Sequence, residues 1–510
     1  MHKKTTSGAQ LTIDCLKKQG VKYIFGVPGA SLMPFLDILY RDRAHADTPQ
    51  FIICRHEQSA VFMAQCWGRL TGTPVVCMAT AGPGATNLVT GMATATADRD
   101  PVIAITGENP HGTHFKKTHQ NLSTARLFRP ITKMSHEVND VDMIPEAIST
   151  AFRLATSQRP GSVHLSFPMD ILADTTDREP LEISAAPRLS VSPLSYLYAA
   201  SSILKEARYP VVLLGLAATE SSVVPAVRRF AATFNAPVIG TFEAAGAIPR
   251  SLVSLFCGRV GMKAIEPGDI ALQNSDAVIA IGYDTIEYAP SLWNTVGSRK
   301  IIHVDFLPSD PDLYYQPAVE LVGSIADNLD ALRERVPARS SVHPLTQKAQ
   351  KALFDEQLRG KSIDSSPVHP LRLIHDVRSA LGDDATVISD VGSHQVWLAK
   401  YFFSYEPRTL LFSMGFQTMG VALPWAIAAT LARPGTPVVS NSGDGSFLMS
   451  ATELETAVRL KCRLIHLVWR DGSYNLVKIQ QLQAFERSWG VEFGNPDIVA
   501  FAKSFGAHAY

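Results

Sequence analysis

The chain has 510 residues, which is too long for a single hydrophobic core, so we expect about three domains. With 46% apolar and 18% charged residues, it has the composition of an ordinary globular protein. Lys plus Arg and Asp plus Glu each number 47, and no basic run of the kind that attracts nucleic acid or an anionic membrane stands out. We therefore expect small-molecule chemistry, with neither nucleic acid nor a membrane as partner.

The cysteines and the N-terminus both indicate a cytoplasmic protein. The six cysteines are scattered without a CxxC pair, mostly in apolar surroundings, which is typical of reduced, buried thiols. The opening stretch lacks the apolar segment of a signal peptide, and no run approaches the roughly 18 apolar residues of a membrane span.

Apolar, β-branched runs alternate with longer helical patterns along the chain, which is typical of parallel sheets flanked by helices. The runs, in chain order, are KYIFGV, TPVVCMA, DPVIAITG, YPVVLLGL, DAVIAIG, RKIIHVDF, TPVVSNS and RLIHLVW. Two polar stretches that contain proline, Thr175–Pro193 and Val336–Pro370, interrupt the alternation. We predict an α/β fold of three doubly wound parallel-sheet domains, at residues 1–180, 190–337 and 366–510.

The first and third domains resemble each other. The segments GRLTGTPVVCMATAGPG and ATLARPGTPVVSNSGDG each run from a helix through an identical GTPVV strand into a glycine turn. The shared order of helix, strand and turn favours an internal duplication. Two related domains predict a site assembled from both.

The strand PVVSNS leads into the turn Gly443–Asp444–Gly445, at the edge of the sheet where open α/β sheets bind ligands and phosphate groups. Ser450 and Glu453 have the spacing of a capping box, which predicts that the next helix begins there. Alone, the turn is equally typical of a protein surface.

A second carboxylate makes the functional interpretation stronger. Asp471 follows the next strand, RLIHLVW, so we expect it to lie near Asp444. Two carboxylates beside a diphosphate indicate Mg²⁺, which proteins usually hold by one or two carboxylates plus phosphate oxygens and water.

This pattern resembles the diphosphate-binding motif of the thiamine diphosphate enzymes. The resemblance implies a pyrimidine-binding first domain, a central domain and a diphosphate-binding third domain, with thiamine diphosphate and Mg²⁺ as cofactors. It assigns the metal to Asp444, Asp471 and the Ser473 carbonyl, although the family has Asn where this chain has Asp471. The resemblance also implies contacts to the cofactor from Gly392, Ser393 and His394 in SDVGSHQVW, and from Gly445, Ser446 and Tyr474.

The same resemblance requires a glutamate in the first domain that exchanges a proton with the aminopyrimidine ring. Glu57, in CRHEQSAVFMAQ, fits that role, although alone it is more typical of an acid at the start of a helix. Pro28 in FGVPGAS and the glycine turn of TAGPGATN resemble the pyrimidine side of the site. Gln417 and Met419, in MGFQTMGVALPW, correspond to the segment that supports the bent cofactor, although a methionine in such a run is usually part of a core.

Over most of its length the chain resembles the acetolactate synthase family, most closely its catabolic, flavin-independent type. The segments RHEQSAVFMAQ, KKTHQN, GYDTIEY, DVGSHQVW, QTMGVALPWAIAA and EFGNPDIVAFAKSFGA carry the resemblance. It implies condensation of two pyruvates to 2-acetolactate and CO₂ through an ylide and an enamine, with Gln120 and Gln480 as further catalytic residues. FAD is not expected, because the strand DAVIAIG leads into YDTIEYAPSLWN without the arginine of the flavin-binding relatives.

Two departures bear on substrate preference: Ser31 replaces a lysine and Met414 replaces an asparagine of many catabolic members. The chain also stops at SFGAHAY, before the family's last helix and strand, so we expect an incomplete third domain. Two alternatives remain: another thiamine-dependent 2-keto acid decarboxylase or carboligase, and a catalytically silent homologue that acts as a binding partner. By resemblance, we expect a homodimer or homotetramer whose active sites are shared between subunits.

Overall fold

The structure is a computed structural model that describes residues 5–510 except 158, 183–187, 263–265, 296, 298 and 340–342. The chain forms two compact units, Met1–Ala186 with Phe416–Tyr510, and Pro187–Gly415. The three predicted domains, at 1–180, 190–337 and 366–510, stay a prediction.

The N-terminal part of the first unit is a parallel sheet flanked by helices. Its strands are β1 (Thr6–Ser7), β2 (Tyr23–Gly26), β3 (Gln50–Ile53), β4 (Val75–Ala79), β5 (Val102–Glu108), β6 (Met134–Glu137), β7 (Ser162–Pro168) and β8 (Thr175–Thr176). Its helices are α1 (Gly8–Lys18), α2 (Met33–Asp42), α3 (Glu57–Thr71), α4 (Pro83–Asn87), α5 (Val89–Ala97), α6 (Thr124–Phe128), α7 (Ile144–Thr156) and α8 (Met169–Ala173).

The strands of this sheet are ordered β3-β2-β4-β5-β7-β6, with every pair parallel, while β1 and β8 form a separate antiparallel pair. Strands β4, β5 and β7 are buried along their whole length, which explains their nearly continuous apolar sequences. The chain order reverses between β2 and β4, so the loops after these strands flank the crevice where such sheets bind ligands.

The C-terminal part of the first unit contains a second parallel strand pair. Its elements are α17 (Ala422–Ala432), β17 (Val438–Gly443), α18 (Asp444–Ser450), α19 (Leu454–Arg459), β18 (Leu464–Trp469), α20 (Asn475–Phe485) and α21 (Ile498–Ser504). Strand β17 pairs with β18 from Val438 opposite Leu464 to Gly443 opposite Trp469. Helix α17 is buried along its first two turns and packs against α3, because its sequence is apolar on all sides.

The predicted capping box is wrong. The helix after β17 begins at Asp444 and ends at Ser450, and a short 3₁₀ helix, Ala451–Glu453, follows it and leads into α19, so a helix does begin after Ser450 as predicted. Ser450 makes no capping hydrogen bond with its side chain. The Glu453 side chain instead accepts hydrogen bonds from the backbone of Arg55 and His56, because the loop before α3 offers N–H groups that need partners.

The second unit contains another parallel sheet. Its elements are α9 (Leu194–Glu206), β9 (Pro210–Leu214), α10 (Val224–Phe234), β10 (Val238–Thr241), β11 (Phe256–Val260), α11 (Pro267–Asn274), β12 (Ala277–Ile281), α12 (Pro290–Trp293), β13 (Lys300–Asp305), β14 (Val319–Val322), α13 (Ile325–Arg333), α14 (Pro344–Ser362), α15 (Pro370–Ala380), β15 (Thr386–Ser389), α16 (Ser393–Tyr401) and β16 (Leu410–Leu411).

The main sheet of this unit is ordered β11-β10-β9-β12-β13-β14, and β15 pairs with β16 in parallel. The polar stretch at 336–370 is more than an interruption, since α14 lies within it and packs on α11, α15 and β11. The fold is α/β with parallel sheets, as predicted. Among the described residues, we find no helix that is both long and apolar enough to cross a membrane.

Candidate active site

Glu57 is the first residue of α3, directly after the loop that follows β3. Its Oε2 accepts a hydrogen bond from Nδ2 of Asn87, the last residue of α4, at 2.9 Å. Its Oε1 lies against Gly84, where an added Cβ would be 3.3 Å away. The half-buried carboxylate is therefore held against α4 and remains partly open to solvent.

Gln120 lies at the opposite end of the same short helix. Its backbone is left-handed, with φ of +61°, which is uncommon for a residue other than glycine and often marks a functional site. Gly82, just before α4, has φ of +66°, and a Cβ there would lie 2.8 Å from the Cβ of Gln120. The structure thus brings Glu57 and Gln120 to the two ends of α4, while their catalytic roles stay a prediction.

The loop after β2 lies beside the loop after β4. Pro28 is exposed there, while Ser31 is buried. The Ser31 hydroxyl lies 2.9 Å from the Thr80 hydroxyl and accepts the N–H of Ala81 at 3.1 Å. The hydroxyl that stands in place of the family's lysine therefore supports the turn before α4.

Asp444 is a buried carboxylate at the start of α18. Its Oδ1 accepts the N–H of Gly445 at 2.9 Å. Its Oδ2 accepts the N–H of Asp471 at 3.2 Å, the N–H of Gly472 at 2.8 Å and Nδ2 of Asn495 at 2.6 Å. Asp444 thus organises the loop after β18 as well as its own turn.

That loop contains the other predicted metal ligands. The exposed Asp471 accepts from both the N–H and the hydroxyl of Ser473, at 3.1 and 3.2 Å. Ser473 pairs with Glu492 in an isolated antiparallel bridge. The structure therefore brings Asp444, Asp471 and Ser473 together in one local cluster.

The predicted cofactor contacts around Asp444 are close to one another. The Tyr474 ring packs over Gly445, where a Cβ would lie 2.7 Å from a ring carbon, so this close approach requires glycine. Ser446 is buried in the first turn of α18. Gln480 is exposed on α20, and no described contact joins it to Glu57.

The segment with Gln417 and Met419 precedes α17. Gln417 is exposed with a left-handed φ of +49°, and Met419 is half-buried. Between them, the Thr418 hydroxyl lies 2.7 Å from that of Thr94 in α5. The segment is therefore anchored to the N-terminal part of the unit.

The remaining predicted cofactor contacts lie in the second unit. Gly392 precedes α16, and Ser393 and His394 are the first residues of that helix, so their N–H groups lie at its N-terminus. Such a terminus favours anions. Met414 is buried, and its Sδ lies 3.1 Å from Nε2 of Gln395 in α16.

Asn87 and Asn495 lie at these clusters although no sequence pattern assigned them there, and Glu453, predicted only as part of a capping box, bonds the loop before Glu57 instead. Asn87 ends the TAGPGATN segment, which was the available signal, but its partner depends on tertiary contact. Glu453 has a raised pKa, chiefly because of burial, although the Thr456 hydroxyl and nearby N–H groups oppose the shift. Oδ1 of Asn495 is buried with no hydrogen-bond partner in the described chain.

The described residues contain no cluster of three or more His, Cys, Asp or Glu side chains suited to a metal ion. Any cation here would thus depend on other oxygen atoms besides Asp444 and Asp471. The donor set fits Mg²⁺, which prefers carboxylate, carbonyl and phosphate oxygens. The unpartnered Oδ1 of Asn495, whose Nδ2 bonds Asp444, adds a further buried oxygen at this cluster.

Comparison with known families gives three matches along the chain. The profile described as "Thiamine pyrophosphate enzyme, N-terminal TPP binding domain" matches residues 6–127. The corresponding central domain matches residues 197–332, and the C-terminal TPP binding domain matches residues 390–510.

Curated relatives are similar over nearly the whole chain. "Acetolactate synthase" of Bacillus subtilis is 44% identical over 504 residues, which cover 98% of this chain and 87% of the relative. "Acetolactate synthase, catabolic" of Raoultella terrigena is 39% identical, covering 98% and 89%. "Acetolactate synthase isozyme 2 large subunit" of Escherichia coli is 31% identical, covering 98% and 90%.

Proposed function

Since the chain belongs to the acetolactate synthase family of thiamine diphosphate enzymes, we propose that it condenses two pyruvates to 2-acetolactate and CO₂. The observation that carries the proposal is the Glu57 carboxylate, held by Asn87 against α4 and close to the turn that contacts Gln120. This is the arrangement expected of a group that exchanges a proton with a bound ring. The names of the relatives support the choice of reaction.

The cofactor half of the proposal involves two sets of residues. Asp444, Asp471 and the Ser473 carbonyl would hold Mg²⁺, and the N-terminus of α16 would face the diphosphate. When bound, thiamine diphosphate supplies the electron sink for loss of CO₂. Glu57 would hold a proton at the aminopyrimidine nitrogen, through the oxygen that Asn87 does not bond.

We also propose that the second unit binds no FAD, because one of its own carboxylates occupies the anion position of the sheet. Its strand order reverses between β9 and β12, the crevice where dinucleotides bind in such sheets. The buried Glu287 accepts the N–H of Leu216, just after β9, at 2.9 and 3.1 Å. It also accepts the Asp284 N–H at 3.1 Å and the Thr241 hydroxyl at 2.5 Å. A diphosphate would have to displace this carboxylate.

The assembly proposed is a homodimer or homotetramer with shared active sites. Helix α20, which follows the Asp471 loop, has no buried residue and exposes Val477, Ile479, Leu482 and Phe485. Several exposed apolar side chains on one helix are typical of an interaction site. We propose a cytoplasmic location as well, supported by free cysteines that are buried or half-buried.

The decisive experiment is product analysis after incubation with pyruvate, thiamine diphosphate and Mg²⁺. We expect acetolactate, and we expect Glu57→Gln to lower the rate by about two to four orders of magnitude while cofactor binding stays nearly intact, because an amide cannot exchange the proton. Asp444→Ala should instead weaken Mg²⁺ and cofactor binding together.

Other outcomes would contradict the proposal in distinct ways. Acetaldehyde as the main product would indicate a decarboxylase, and a flavin absorption band in the purified protein would contradict the proposed absence of FAD. Failure to bind thiamine diphosphate saturably would favour a silent homologue. Unchanged turnover in Glu57→Gln would overturn the role of that residue.

A further inference from the structure

The fully buried carboxylate of Glu453 binds the loop that joins β3 to α3. Its Oε1 accepts the backbone N–H groups of Arg55 and His56 at 2.9 and 3.1 Å. Its Oε2 accepts the Thr456 hydroxyl at 2.6 Å, and the Ser59 hydroxyl donates to the same carboxylate. The carboxylate thus joins groups from two segments that lie far apart in the chain.

Burying a carboxylate costs free energy, because the group loses its water shell and needs hydrogen-bond donors in compensation. Backbone N–H groups at the start of a helix lack partners within the helix, and leaving them buried and unpaired is costly too. The Glu453 side chain meets both requirements at once. Its distinctive effect is to fix the backbone just before α3.

We propose that Glu453 is a positioning residue for Glu57, an inference that rests on the proposed function of Glu57. By bonding the N–H groups of Arg55 and His56, it fixes the backbone from which the Glu57 side chain leaves. Asn87 then fixes the carboxylate itself. Glu453 touches no reacting atom and acts through this backbone alone.

A second contact from the same segment strengthens the inference. The Arg459 guanidinium, at the end of α19, donates to the Ile53 carbonyl at the end of β3, and Arg459 pairs with Glu455 at 2.9 Å. The loop is therefore anchored at both ends by residues that closely follow α18. Because α18 begins at Asp444, one segment carries both the proposed metal ligand and the group that positions Glu57.

The test measures exchange of the C2 proton of bound thiamine diphosphate, by quenched NMR, in Glu453→Ala and Glu453→Gln. We expect Glu453→Ala to slow exchange about 10- to 100-fold, since small displacements of a catalytic group are costly. Glu453→Gln keeps one oxygen for the two N–H groups and should slow exchange only about threefold. The matched control is Glu146→Gln, which replaces an exposed glutamate on α7, outside both this loop and the segment that anchors it. The bound cofactor should exchange its C2 proton in this variant at the rate of the unaltered protein.

A double-mutant cycle separates positioning from general structural damage. In the Glu57→Gln background, Glu453→Ala should slow exchange by less than about twofold, because its target is already lost. Equal slowing in both backgrounds would overturn the inference, as would unaltered exchange in folded Glu453→Ala. If Glu453→Ala does not fold, Glu453→Gln carries the same cycle.

Amide hydrogen exchange of the Arg55 and His56 peptide adds a readout that needs no cofactor. Protection should fall in Glu453→Ala and stay unchanged in Glu146→Gln, and equal protection in these two variants and the unaltered protein would overturn the inference. If the unaltered protein binds no thiamine diphosphate, the proposed function fails. If it binds thiamine diphosphate but neither the C2 proton exchange nor the amide exchange changes in the Glu453 variants, this inference alone fails.

Discussion

At the scale of single residues, His164 shows how burial sets the charge of a side chain. The ring lies in β7, 2.9 Å from the Thr106 hydroxyl and 2.8 Å from the Ser135 hydroxyl, and stacks on Phe128 at 4.3 Å. Complete burial lowers the pKa of His164 to about 3. The imidazole is therefore neutral in the folded protein near neutral pH.

This pKa predicts an acid-sensitive contribution to stability. The unfolded chain binds a proton near pH 6.5, whereas the folded protein does so only near pH 3, so stability is full above pH 6.5 and falls as the pH drops toward 3. The loss is about 1.4 kcal/mol per pH unit within that window. We therefore expect His164→Gln to lose less thermal stability than the unaltered protein when the pH is lowered from about 7.5 to about 5.5. Thermal unfolding of both proteins at the two pH values provides the measurement.

The comparison must be made as a difference between proteins, because other groups titrate as well. Burial raises the pKa of Asp100 to about 6, although the adjacent Arg69 opposes the shift. A raised carboxyl pKa acts in the opposite sense, since its contribution is lost as the pH rises. If the two proteins lose equal stability on acidification, the assignment of a neutral, buried His164 is wrong.

At the scale of elements, α4 determines the geometry of the first half of the site. It has only five residues, yet Gly82 before it contacts Gln120, and Asn87 at its end bonds Glu57. The helix is placed by the loop after β4, whose turn is supported by Ser31. A small change at Gly82 should therefore affect both ends.

We expect Gly82→Ala to be costlier than Gly72→Ala. Both glycines have positive φ, of +66° and +72°. Gly72 lies in the left-handed helical region, where alanine costs about 1 kcal/mol, whereas Gly82, with ψ of −114°, lies outside that region and should incur more backbone strain. The alanine methyl group at position 82 would also meet Gln120, whereas position 72 has no atom within 4 Å. Thermal unfolding and the rate of acetolactate formation provide the measurements. Similar rates in the two variants would show that contact with Gln120 does not matter for catalysis.

At the scale of the whole molecule, the proposed sharing of sites between subunits gives a complementation prediction. In a mixed dimer of Glu57→Gln and Asp444→Ala chains, one site would contain both native carboxylates and the other neither. We expect two inactive proteins to regain activity when mixed under conditions that allow subunit exchange. If mass spectrometry verifies exchange and no activity returns, each site must be built from one chain.

Much of the fold was predictable, because local patterns carry the information. Buried parallel strands require continuous apolar runs, and the glycine turns after β2, β4 and β17 mark the ends of those strands. The absence of the capping box was not predictable from the Ser450–Glu453 spacing, because the Glu453 side chain bonds N–H groups of a loop that is distant in the chain. A capping pattern in the sequence gives no information about N–H groups from elsewhere in the chain that compete for the same carboxylate.

The sequence by itself determined the α/β class, the family and the identity of the candidate carboxylates, since each depends on residue types in a fixed local order. Only the tertiary structure decided which groups hold those carboxylates. Asn87 bonds Glu57, Asn495 bonds Asp444, and Glu453 fixes the loop before Glu57. These contacts join residues that are distant in the chain, and a hydrogen bond depends on distance and direction, which are fixed only when the elements pack.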